Sequence, residues 1–153
     1  MTQEPRTPLL HVTVAAIVER ENRFLLVEEM VGEKQVLNQP AGHVEHGESF
    51  TGAVIRETLE ETAWDFHPVA VTGIYRWRMP QTGETFLRHC FSGSVQEHHA
   101  ERSLDTDILR TVWLSLDELK RREAQLRSPL VLRCIEDYLA GQRYPLSLYH
   151  DID

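Results

Sequence analysis

Cysteine is scarce in this chain. Only Cys90 and Cys134 occur among the 153 residues. They are far apart in sequence and set in apolar surroundings, which fits buried thiols in a reducing compartment better than a disulfide or a metal pair. Long apolar runs are absent as well, so no segment reaches membrane-spanning length. The opening MTQEPRTPLL lacks the basic and apolar regions of a signal peptide, and the expected location is the cytoplasm. Basic charge is outnumbered: 16 Lys and Arg face 24 Asp and Glu, for a net charge of -8. That balance disfavours DNA or any other nucleic-acid duplex as a partner. An anionic small molecule would need its charge offset locally, by metal or by placed arginines. With no repeat, low-complexity segment or linker, the expectation is one domain over residues 1–153, large enough for a real core.

What is present reads as alternating strands and helices. HVTVAAIV (11–18) is a nearly continuous apolar strand, and RFLLVE (23–28) pairs with it across the polar turn Glu19–Asn22. Residues 29–41 read as irregular, punctuated by Gly32 and Pro40. A helix is predicted from about Phe50 to Ala63, capped by Ser49, with Pro68 beyond it. VAVTGIYRWRM and TFLRHCFSGSV form two long strands joined at 80–83, residues 96–108 form a polar loop, and TVWL (111–114) forms a short strand. Ser115 and Glu118 make a capping box for a helix to about Leu126. Ser128-Pro129 opens another helix, which Gly141 closes. The tail RYPLSLYHDID reads as mostly irregular. This order gives an α+β or α/β sandwich, one mixed β-sheet between helices.

The chemistry concentrates in GHVEHGESFTGAVIRETLEETAW, residues 42–64. On a helix, Glu57, Glu60 and Glu61 stand at i, i+3 and i+4 and share one face. Ile55 and Leu59 point roughly the opposite way and suit a core. Three like charges on one face repel one another without a counter-charge. A solvated acidic face is one reading of them, and an oxygen-only site for a hard divalent cation is the other.

The residues before the helix decide between the two readings. Gly42, Glu48, Arg56, Glu57, Glu60, Glu61 and Trp64 match the pattern G-x5-E-x7-R-E-U-x-E-E-x-G-U, in which U is a bulky apolar residue. This is the Nudix box, and the chain resembles the Nudix hydrolases. Two positions depart: Thr58 stands where an apolar residue is usual, and Ala63 replaces the final Gly. Neither change removes a carboxylate. LNQPAGHVEHGES and PLVLRCIEDYLAGQRYPL further resemble the bacterial NudJ subgroup. The resemblance implies a Nudix α/β/α sandwich and Mg²⁺-dependent hydrolysis, with Mn²⁺ able to substitute. Its implied substrates are nucleoside tri- and diphosphates and the thiamin-pathway hydroxymethylpyrimidine pyrophosphate. It also leans towards a monomer. Glu57, Glu60, Glu61 and the Gly42 carbonyl are the implied metal ligands, with Arg56 and Glu48 supporting them. Hydrolysis of another nucleoside diphosphate derivative (ADP-ribose, a dinucleoside polyphosphate, an RNA 5′ end) is an alternative. So is a nucleotide sensor without turnover, although sensors of this kind usually lose a metal carboxylate.

The general base is open among Glu60, Glu61 and two acids of the polar loop, Asp105 and Asp107. Alternation along Ile74–Arg78 puts Tyr75 and Trp77 on one face, available to stack on a ring, and Arg76 and Arg78 on the other. Arg76, Arg78 or Arg88 could meet phosphate. Gln39 could hydrogen-bond a ligand. His43, His46, His98 and His99 do not make a zinc set.

Overall fold

The structure, a computed structural model, describes residues 3 and 6–152. Met1, Thr2, Glu4, Pro5 and Asp153 lie outside the described residues, and with them much of the opening stretch read above for a leader.

The strands are β1 (Leu10–Arg20), β2 (Arg23–Val31), β3 (Lys34–Asn38), β4 (Ala41–His43), β5 (Trp64–Arg78), β6 (Thr85–His98) and β7 (Ile108–Leu114). The helices are α1 (Phe50–Thr62), α2 (Leu116–Arg121) and α3 (Leu130–Leu139), with single 3₁₀ turns at Glu123–Gln125 and Leu146–Leu148. The main path of the sheet runs β3-β2-β1-β6-β5, with β4 on β1 and β7 on β2. The β1–β6 pair is parallel and the others are antiparallel, so the sheet is mixed.

β1 and β2 stay paired only beside their turn, at Glu19↔Phe24 and Arg20↔Arg23. Glu21 and Asn22 both hold positive φ, as a two-residue hairpin turn of the primed type requires. Beyond the turn the strands splay. β1 then takes β4 at Thr13↔His43, Val14↔Gly42 and Ala15↔Ala41. β4 therefore lies against the middle of the sheet, with the loop into α1 directly after it.

Apolar residues alternate across β1 into two cores. Ala15 and Ile17 join Phe24, Leu26, Leu119, Val131 and Ile135 on the α2–α3 side. Val14, Ala16 and Val18 join Ala53, Val54, Phe66 and Phe91 on the α1 side. This is the expected sandwich of helices on both faces of a mixed sheet.

Several boundaries differ from the sequence reading. Residues 29–41 are not irregular: β2 continues to Val31, turns at Gly32-Glu33 and returns as β3, before β4. Two acids in β2, Glu28 and Glu29, disguise its burial. Glu28 is 2% exposed and binds Gln35, Arg110 and Arg122, while Glu29 binds Arg127. β5 begins at Trp64 and contains Pro68, which an edge strand tolerates because its missing N–H faces no partner. β6 reaches His98 and β7 begins at Ile108, so the polar loop is shorter than expected. The helix after Ser115 ends at Arg121 and is followed by a 3₁₀ turn. The two cysteines are both free and buried, and they meet in the core.

The register of α1 is also corrected. Ile55 is 38% exposed, while Ala53, Val54, Thr58, Glu61 and Thr62 are buried. Thr58 is fully enclosed because its hydroxyl donates to the Val54 carbonyl at 2.7 Å, which leaves its methyl to the core.

Candidate active site

Ser49 starts α1 by accepting from the Gly52 N–H at 3.0 Å. Ala63 ends it in the left-handed region, at φ 63° and ψ 16°, with its N–H on the Leu59 carbonyl. Between these caps the helix presents its acids to β4 and to the loop before β7.

The three glutamates do not share one environment. Glu61 is 7% exposed and accepts the Ala41 N–H at 2.8 Å. Burial, opposed by that bond and reinforced by Glu29, Glu57 and Asp105, pushes its carboxyl up to about 9. Glu57 reaches over Gly42, where a Cβ would overlap its carboxylate. Burial raises its pKa too, against the pull of Arg56. Glu60 is more open. Its backbone carbonyl, in the last turn of α1, accepts the Asp105 N–H at 3.0 Å. That bond fastens the loop to the helix end, and the side chain of Asp105 meets those of Glu57 and Glu60. One oxygen from each lies within 4.8 Å of the other two. The donors are all carboxylate oxygens, so the group can bind a hard divalent cation. Glu61 stands beside this trio rather than in it. Asp107 instead uses its carbonyl to accept from the Met30 N–H.

Arg56 holds the acids in register. It grips Glu48 through Nε (2.7 Å) and Nη2 (2.9 Å), and its Nη1 reaches Glu57 at 2.9 Å and Glu60 at 3.1 Å. Nη2 also donates to the His43 carbonyl at 3.1 Å. The bidentate bond lowers the Glu48 pKa and raises that of Arg56 further. Arg56 thus ties the loop, the helix and β4 together.

These features coincide with the Nudix box, and the whole chain agrees. A NUDIX domain model matches residues 9–134. The chain belongs to the Nudix family. It is 38% identical over 143 residues to the phosphatase NudJ of Escherichia coli K12, covering 94% of this chain and 92% of that one. NudJ of Shigella boydii matches to the same extent. Among solved structures, a NUDIX hydrolase from Nitrosomonas europaea superposes with a TM-score of 0.92 at 49% identity, covering 95% of this chain and 98% of that one. A MutT protein from Methanosarcina mazei, at 22% identity and a TM-score of 0.71, shares the fold. The chain is accordingly an enzyme, a Nudix pyrophosphohydrolase or phosphatase acting on a small molecule.

The Nudix-box residues come together, whereas the candidates for substrate contact scatter. Tyr75 and Trp77 share a face of β5, as alternation required, but they part company. The Tyr75 hydroxyl donates to Asp137 at 2.8 Å under α3, while Trp77 lines a cleft beside Gly42. Arg76 is exposed on the opposite face. Gln39 is 1% exposed and fully engaged: its amide donates to the Val131 carbonyl and its oxygen accepts from Arg88, both at 2.8 Å. It therefore holds another residue in place instead of facing a ligand. Two residues near the site carried weak or no sequence signal, Phe86 and Arg127, because only the pairing of distant segments brings them to the cleft.

Proposed function

We propose that this chain, as one Nudix domain over residues 1–153, is a Mg²⁺-dependent hydrolase of phosphoanhydride bonds. Its substrates would be nucleoside tri- and diphosphates and the hydroxymethylpyrimidine pyrophosphate of the thiamin pathway. Mn²⁺ would substitute, and the enzyme would act as a cytoplasmic monomer without DNA. The observation that carries this reading is the meeting of Glu57, Glu60 and Asp105 at one point, steadied by Arg56. An all-oxygen donor set suits Mg²⁺, and the similarity to NudJ phosphatases supports the substrate class. No described helix is long and apolar enough to cross a membrane.

Glu57, Glu60, Glu61 and the Gly42 carbonyl are the proposed ligands, and Asp105 adds a carboxylate to that set. A cation held by these residues would offset phosphate charge and acidify a water. The protein residues orient and hold protons. Arg56 and Glu48 fix the helix against β4, so the acids do not have to reorganise as charge builds on phosphate oxygens. The second carboxylate oxygen of Asp105, outside the cation group, would take the proton of an attacking water. Asp107 is the weaker candidate for that role. Burial lowers the His43 pKa, and His11 and Arg127 lower it further.

The test is a substrate panel with Mg²⁺ and Mn²⁺ in which both products are identified. Release of phosphate or pyrophosphate is expected, with Glu57→Gln losing it while keeping a cooperative thermal transition. A panel that yields no product, or a fully active Glu57→Gln variant, rejects the assignment.

A further inference from the structure

The cleft beside Gly42 contains a cation that no carboxylate among the described residues neutralises. Arg88 lies on β6 and is 6% exposed. Its Nη1 donates to Gln39 Oε1 at 2.8 Å and its Nη2 to Asn38 Oδ1 at 3.1 Å, and both acceptors are neutral amides. The buried Cys134 thiol also lies against it. Its Nε–H has no partner, and among the described residues no carboxylate pairs with it. The Nε atom is sealed inside the protein, so a cleft occupant meets the guanidinium only where Arg88 lines the cleft, and a buried guanidinium set against neutral amides alone is costly without such an acceptor. The amides are fixed as they stand. Gln39 is fixed on the Val131 carbonyl, and Asn38 leans on Glu29, which itself binds Arg127 at 2.6 Å.

The walls around Arg88 are aromatic and apolar. Trp77 and Phe86 stand 5.9 Å apart between ring centres, with Met79 and Leu130 beside them. The cleft measures about 110 Å³. That is below the ~150 Å³ of a closed cavity that holds benzene, so a single six-membered ring already fills the cleft and a fused two-ring purine exceeds it further. Gly42 and His43 border the cleft on the β4 side. Gly42 is also the residue under the Glu57 carboxylate. A ring in the cleft thus projects its phosphates towards the acidic trio.

We infer that Arg88, with the Trp77–Phe86 wall, is the specificity-determining element. It selects a six-membered ring carrying a carbonyl oxygen at its edge, an oxo-pyrimidine nucleotide, over a purine nucleotide. This rests on the hydrolase reading above and adds the base to it. The aromatic lining favours a ring over a bare phosphate, although both would offer Arg88 an oxygen acceptor.

The experiment compares kcat/KM for uridine diphosphate and adenosine diphosphate, with Mg²⁺ or Mn²⁺. Uridine diphosphate is expected to lead by at least ~10-fold. Arg88→Met is expected to cut that lead ~10-fold or more, mainly through KM. Trp77→Ala, at a half-buried position, should cut it in the same direction and serves if Arg88→Met does not fold. An adenosine preference overturns the inference. An equal loss on both substrates overturns it too, because Arg88 would then be meeting phosphate. If neither nucleotide is hydrolysed, the hydrolase reading fails for them. The base assignment is then decided by tryptophan fluorescence titration with uridine and adenosine monophosphates, where equal affinities overturn it.

Discussion

Gly42 is where a single methyl group does most damage. Its backbone lies under the Glu57 carboxylate, and a Cβ would collide with that group. Gly42→Ala should therefore displace Glu57 and lower kcat by about 100-fold. Its urea midpoint should barely change, because the strand conformation there suits alanine. Near-normal turnover in that variant would show that the close approach is dispensable. Glu61 makes a different prediction. The folded protein holds a proton on Glu61 up to pH about 9, whereas the unfolded chain releases it above the ordinary 4.5. Folding therefore binds a proton between those values, and metal-free protein should lose stability as pH rises through that window. Glu61→Gln keeps the acceptor for Ala41 and removes the titration. Its melting temperature in chelator should exceed wild type by roughly 5 °C at pH 8 and converge with it near pH 5. Parallel pH profiles of the two proteins would disprove the assignment.

Much at this scale was legible from spacing. Gly42, Glu48, Arg56 and the three glutamates stand in an order that few other demands on a sequence would produce. Spacing on a helix wheel could not reveal that Glu61 sinks beneath β4, or that Asp105 comes to stand beside Glu57 and Glu60. That meeting depends on a backbone bond from Asp105 to Glu60, which joins segments 45 positions apart in number (105 − 60). The hydrogen-bond partners of Gln39 and Arg88 were hidden for the same reason.

At the scale of elements, α1 has an unusual stop. Ala63 takes a left-handed conformation that costs a residue with a side chain ~1–2 kcal/mol. Its methyl is buried, and losing it would cost ~0.8 kcal/mol. Ala63→Gly should thus stabilise the protein by only about 0.5 kcal/mol. This would be read as a raised urea midpoint at constant m-value, and a lowered midpoint would show that the methyl matters more than the strain. Helix caps, the hairpins and the alternation on β5 follow local rules, which is why the sequence exposes them. Strands β3 and β4 were missed because they are short and polar. β2 reads as ending at Glu28 because its buried acids find cations on β7 and in the segment after α2. The core face of α1 was misjudged because Thr58 satisfies its own hydroxyl within the helix.

The whole molecule is closed by its C-terminal residues. Val71 and Tyr144 exchange backbone hydrogen bonds, both at 2.8 Å, which covers part of the outer edge of β5. Tyr149 is then clamped against Phe50, His89 and Phe91, with its hydroxyl 2.6 Å from His89 Nδ1. Burial lowers the His89 pKa below its ordinary 6.5. The unfolded chain binds the proton more readily, so stability is full above that value and declines as pH falls below it. Amide exchange in residues 142–150 should accelerate below pH 6 before the strands respond. His89→Gln should remove that early response, and exchange that quickens uniformly across the chain would contradict the clamp.

The three residues of β4 serve two neighbours at once. Ala41, Gly42 and the carbonyl of His43 receive the acids and the arginine of α1, while the side chain of His43 and the edge of Gly42 border the aromatic cleft. Cleft residues on β5 and β6 therefore meet the hydrolytic residues across a seam of one short strand. Such a seam lets the two halves diverge separately. Substitutions at Trp77, Phe86 or Arg88 can redirect the enzyme to new leaving groups over evolutionary time without disturbing the carboxylates. Transplanting the β5–β6 hairpin between relatives is, for the same reason, the natural route to re-engineering what this enzyme consumes.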